Sequence, residues 1–218
     1  MLTTTSCFSK YDQPEFQILC NESVSDRDVN WLVTSLEKTV RDGTRYVDGD
    51  LLALGSALLR IRARAGTLIL QEPSPGEIPI QWRDGVTDSL RLLRLQKDVA
   101  ESLRQLDRID FARLRESLLM GIDVGHDAQE FLLERAERNV SDSGWFIGLL
   151  CSGLDYGDPD NLRRVSVFEA ISNCPRIAGF LALPTGTRVV LAKDRVTVTY
   201  CNEPLIPTKG SLLDAAAN

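Results

Sequence analysis

The chain has 218 residues, 43% of them hydrophobic and 26% charged, which is too apolar for a disordered chain and enough for one large domain or two of about 100 residues. Thirty-one acidic against 25 basic residues leave a formal net charge of −6. That balance argues against direct binding to nucleic acid, which rewards clustered Lys and Arg, and suits a basic protein partner.

The first element is a strand over Glu15 to Cys20, with Phe16, Ile18 and Cys20 on one face. A helix follows. Ser25 caps it, Asp28 completes an S-x-x-D box, and Val24 staples onto Val29. Val29, Leu32, Val33, Leu36 and Val40 line its apolar face, and Gly43 stops it. Ala57 to Arg64 alternates as a strand, with Arg60, Arg62 and Arg64 forming a basic stripe expected to pair with an acidic neighbour such as Glu72. A turn at Ala65-Gly66 returns the chain through Thr67 to Glu72, and Ile78 to Trp82 reads as another short strand. From Val86 the period becomes helical, with Leu90, Leu93, Val99, Leu103 and Leu106 on one stripe.

Arg108 to Val140 reads as one or two more helices, with Asp110 as a cap. A strand is expected at Trp145 to Leu150, then an acidic loop, then a short helix capped by Ser166 with Glu169 at its third position. Arg188 to Ala192 and Val196 to Tyr200 form a hairpin, and the tail after Pro204 reads as frayed. The expected fold class is therefore α+β: two small sandwich-like domains with mostly antiparallel sheets, at 1–107 and 141–218, joined by a helical segment over 108–140.

Catalytic constellations are missing from this pattern. The one histidine, His126, sits in a turn without a nucleophile signature, and none of the fifteen glycines forms a phosphate-binding loop. The cysteines (Cys7, Cys20, Cys151, Cys174 and Cys201) include no C-x-x-C pair and read as reduced thiols, with Cys20 and Cys201 in apolar strand-like contexts. Trp31, Trp82 and Trp145 lie in apolar-patterned segments that suggest core positions. Neither a metal nor a cofactor is expected. The first residues, MLTTTSCFSKYDQPEF, lack the charged start and apolar core of a secretory signal, and no run approaches the ~18 apolar residues of a membrane span. The expectation is a cytoplasmic protein.

One stretch stands out. Asp155, Asp158 and Asp160 surround Tyr156 on a loop stiffened by Gly157 and Pro159, with no basic residue among them. A solvated turn would use the same residue types. An EF-hand would not: its twelfth position, counted from Asp155, is Ser166. Asp142-Ser143-Gly144-Trp145, then Asp158-Pro159-Asp160-Asn161, Pro175 and Pro184-Thr185-Gly186 together resemble a domain of bacterial immunity proteins, those encoded beside polymorphic or contact-dependent toxins, including type VI secretion effectors. The resemblance covers Ser141 to Ala192. It departs from the family pattern at Gly148-Leu149-Leu150-Cys151, which is apolar where the family usually carries a more acidic run.

The resemblance implies a non-catalytic inhibitor that binds a cognate toxin, expected to be a basic, cytoplasm-acting nuclease, and blocks it. The partner-binding residues it points to are Asp142, Trp145, Asp155, Tyr156, Asp158, Asp160 and Asn161, with the tyrosine as a buried anchor and the aspartates as steering charge. An adaptor or chaperone that carries an effector to a secretion apparatus is the open alternative. An enzyme acting on a small ligand through the loop carboxylates is a third.

Overall fold

The computed structural model describes residues 1–215. The chain is an α+β protein with two sheets, of six and seven strands, both mostly antiparallel. It divides into two compact units, Met1–Arg94 and Leu95–Asn218.

In the first unit the strands are β1 (Leu2–Thr4), β2 (Phe16–Leu19), β3 (Leu51–Leu54), β4 (Ala57–Arg64), β5 (Thr67–Pro73) and β6 (Trp82–Asp84). They run in the order β1-β2-β5-β4-β3, with β6 also on β5, and β2–β5 is the parallel pair. Helix α1 (Asp26–Arg41) buries Val29, Leu32, Leu36 and Val40 against Phe16, Ile18, Leu59, Ile61 and Leu70. Its N-cap is as read: the Ser25 hydroxyl accepts from the Asp28 N–H. The β4–β5 turn is also as read, with Ala65 and Gly66 both at positive φ, the geometry of a tight two-residue hairpin. Helix α2 (Thr87–Ser102) begins in this unit, and the division between units falls within it.

The second unit holds β7 (Ser117–Gly121), β8 (Phe131–Arg135), β9 (Asp142–Leu149), β10 (Leu162–Ser166), β11 (Thr187–Leu191), β12 (Val196–Tyr200) and β13 (Glu203–Leu205). Their order is β10-β7-β9-β8-β11-β12-β13, and β7–β9 is parallel. Helix α3 (Val167–Asn173) starts at Ser166, whose hydroxyl accepts from the Glu169 N–H at 3.0 Å. A 3-10 segment, Pro175–Phe180, follows, and its Gly179 packs closely on Leu95 and Val99 of α2. One face of the sheet is buried beneath this helical layer. Trp145 Nε1 donates to Leu181 O at 3.2 Å, and Ile147, Leu133, Phe131, Leu118, Met120 and Val189 are almost fully buried.

Several expectations need correction. Residues 108–140 carry β7 and β8 rather than helices. Leu118 and Met120 are buried while Leu119 between them is partly exposed, and Phe131, Leu133 and Arg135 alternate with Leu132 and Glu134, so the true period is two. Pairing with neighbours distant in sequence, β10 and β9, overrides the local helical reading. The tail is not frayed as far as Ala215: β13 pairs with β12, and a short helix α4 (Leu212–Ala215) buries Leu213. Its last three residues lie outside those described. Trp31 is 47% exposed on α1, and Trp82 stacks on Arg60, so only Trp145 of the three tryptophans is a core residue. Arg60 donates to Gln71, and Arg62 and Arg64 pair with Asp48 and Asp84; Glu72 faces the other side, buried, where it pairs with Arg83. Cys201 occupies an exposed turn rather than a strand.

Candidate partner-binding site

The D-S-G-W segment opens β9, and its four residues divide between the two faces of the sheet. Asp142 Oδ1 accepts from the Gly144 N–H at 2.8 Å, while Oδ2 accepts from the Ser117 hydroxyl at 3.1 Å and pairs with Arg164. Burial alone would raise the Asp142 pKa, but these three donors hold it below the ordinary carboxylate value. Ser143 donates from its hydroxyl to Ser117 O, tying β9 to β7. Gly144 sits at φ +77°, and a Cβ there would lie 2.3 Å from Ala136 O, so no other residue fits without displacing the backbone. Trp145 is 1% exposed. Over its ring lies Arg135, whose own side chain is fully buried.

Arg135 joins the turn to the layer below. Nε donates to Ser143 O at 3.2 Å, and Nη1 donates to both Asp110 O and Leu183 O at 2.5 Å. Nη2 lies 3.0 Å from Asp110 Oδ2, close enough for an ion pair but out of line for a hydrogen bond. Burial lowers the guanidinium pKa to about 10, which still leaves it charged at neutral pH.

The acidic loop is built at the other end of β9. Eight residues of strand span about 23 Å, so Asp142 and the loop do not share one contact point. Tyr156 folds back onto the sheet and fastens the loop there. Its hydroxyl donates to Asp123 Oδ1 at 2.8 Å and accepts from the Leu149 N–H at 2.9 Å, while Ser152 donates to Asp123 Oδ2 at 2.6 Å. Burial chiefly, helped by the Asp123 carboxylate, raises the phenol pKa and keeps it a donor. The ring lies over Gly121 of β7 and Gly148 of β9: a Cβ on either would come within 2.6 and 2.5 Å of it. Phe146 meets the ring edge-on, 5.2 Å between centroids.

Around this latch the loop closes on itself. Asp155 Oδ1 accepts from the Gly157 N–H, Asp158 Oδ1 caps the Asp160 N–H, and Asn161 Nδ2 donates to Asp155 O at 2.9 Å. Pro159–Asn161 forms one 3-10 turn. Asp155, Asp158 and Asp160 are exposed, and among the described residues no ion pair engages them. Among the described residues, no group of three His, Cys, Asp or Glu is arranged to hold a metal.

The seven residues singled out from the sequence thus separate into three places. Asp142 is bound up in a strand-end network, Trp145 is in the core, and the loop gathers Asp155, Tyr156, Asp158, Asp160 and Asn161. Tyr156 points toward the sheet, as a latch for its loop. Sequence reasoning missed Asp123, Ser152, Gly121 and Gly148, which make the latch possible. A glycine inside an apolar strand, Gly148, was the available sign, because strands keep glycine where another group approaches closely.

Fold and site together describe an α+β protein whose second unit presents an acidic loop on a sheet. Residues 95–200 match the family model of the Imm33-like domain, an immunity-protein family, and the match supports a bacterial immunity protein. It begins where the second unit begins and takes in β7 to β12, just under half the chain. No curated protein and no solved structure matches the chain. No helix among the described residues is long and apolar enough to cross a membrane.

Proposed function

We infer that this protein binds and neutralises a cognate secreted antibacterial toxin, a basic nuclease delivered by a system such as type VI secretion, in the cytoplasm. It acts by occupying the toxin and performs no chemistry of its own. The observation that carries this reading is the Imm33-like match over the unit that holds the acidic loop. The geometry supports it: three exposed aspartates, without cationic partners among the described residues, are displayed on a loop held by its own hydrogen bonds and by Tyr156. Such charge speeds encounter with a basic surface, and preformed loops lose less entropy on binding. Nucleases are basic because they hold phosphate backbones.

The test is co-expression with the adjacent toxin gene, followed by binding kinetics. Wild-type protein should rescue growth and form a stable complex. Replacing Asp158 and Asp160 with lysine should slow association about tenfold and flatten its salt dependence, with the melting temperature little changed. Unchanged association would remove the loop from the interface. An absence of both rescue and complex would remove the function.

A further inference from the structure

The second sheet has one face buried under helices and one that, among the described residues, no α-helix covers. On that open face lie Leu119, Phe146, Leu132 and Val190, contributed by the four adjacent strands β7, β9, β8 and β11. The register makes them neighbours: Leu119 pairs with Phe146, and Leu132 pairs with both Gly148 and Val190. All four are only partly buried, in contrast to Leu118, Ile147, Leu133 and Val189 on the other face, each 0% exposed. At the usual strand spacing they make an apolar strip about 14 Å wide.

Charge is arranged around this strip in one sense. Arg188 pairs with Glu134 at 3.1 Å and Arg164 pairs with Asp142, so the ions on the face cancel. At the end where Tyr156 fastens the loop, no ion pair among the described residues engages Asp155, Asp158 or Asp160. The β11–β12 turn at the same end brings Lys193, Asp194 and Arg195, one net positive charge against the three negative ones. An apolar centre with a charged edge is the usual make-up of a protein-binding surface.

We propose that this open face is the docking surface for the toxin, with Leu119, Phe146, Leu132 and Val190 as its apolar core and the acidic loop as its rim. The occupant is a protein surface with an apolar patch beside a cluster of Lys and Arg. The proposal rests on the function inferred above and adds where the contact is made. Tyr156 and the Gly121–Gly148 seat act as positioning groups: they place the rim charges beside the core and touch the toxin less than the strip does.

The probe is the purified product of the adjacent toxin gene, catalytically inactivated, with the full-length protein as ligand. Leu132→Lys combined with Val190→Lys should weaken affinity at least about thirtyfold, as loss of a core contact does. Arg62→Ala, on the first unit, should leave it within about threefold. Hydrogen exchange on the wild-type complex should slow in β8, β9 and β11, a readout that holds even if the double variant fails to fold. If wild type binds and the folded variant binds equally well, or exchange in these strands is unchanged, the docking surface is overturned while the immunity function stands. If wild type neither binds nor protects, the function falls and the surface with it. If wild type alone is a dimer that the double variant splits, the face is a contact between copies and the proposal is overturned.

Discussion

Among the described residues, each unit has one sheet face that no α-helix covers, and the two faces end up chemically different. On the first sheet, Arg60 stacks over Trp82 at 5.0 Å and donates to Gln71, Gln71 donates to Asp84, and Arg64 pairs with Asp84. Arg60, Arg62, Arg64, Gln71 and Asp84 there all find partners in the same unit. On the second sheet the centre is apolar, and among the described residues no ion pair engages Asp155, Asp158 or Asp160 at its edge. A self-satisfied polar face has little to gain from a partner, since any contact must replace bonds it already makes. An apolar strip beside uncompensated charge gains by being covered. The contrast supports the proposed docking surface on the second unit, the one that matches the Imm33-like domain.

The two units part most sharply at their arginines. Arg135→Met should destabilise the second unit by about 2–4 kcal/mol, because it leaves three buried carbonyls without their donor while the Asp110 carboxylate keeps Arg138. Urea unfolding followed through Trp145 fluorescence measures it, and a loss under about 1 kcal/mol would mean that water takes over those groups. Arg60→Met, by contrast, should cost less than about 1 kcal/mol, as partly exposed polar contacts do. Between these extremes, Gly148→Ala should cost about 1–3 kcal/mol, because the added methyl meets the Tyr156 ring. It should also speed exchange of the Leu149 amide, whose acceptor is the Tyr156 hydroxyl. Unchanged exchange would show that the loop does not depend on the latch.

The smallest effect is one of pH. Asp142 has a depressed pKa in the folded state, so its contribution is fully present above the unfolded carboxylate value of about 3.9 and is lost as pH falls through the lower folded value. Asp142→Asn should therefore flatten part of the acid limb of a stability–pH profile. The same limb in the variant and the wild type would place the acid sensitivity elsewhere.

Local chemistry was legible wherever one segment carried its own instructions. The Ser25 and Ser166 caps, the Ala65-Gly66 turn, the β11–β12 hairpin and the amphipathic face of α1 all depend on residues within a few positions of one another. What was misread depended on distant partners. The stretch from Arg108 looked helical because Phe111, Leu114, Leu118 and Leu119 fit a helical period, and only the place of β7 between β10 and β9 shows that its alternate residues face opposite sides. Asp123 carried no local sign of its role because the hydroxyl it accepts from belongs to Tyr156, 33 positions further on.

For the site, the sequence by itself determined the ingredients: an acidic segment free of basic residues, stiffened by Gly157 and Pro159, in a chain of net charge −6. Backbone chemistry and charge are local or additive, so they can be read without coordinates. Which way Tyr156 points, that Trp145 alone of the three tryptophans is core, and that four apolar side chains from separate strands lie side by side were decided only by tertiary structure. Strand order and register set those neighbours, and both follow from long-range pairing energies that no single segment encodes.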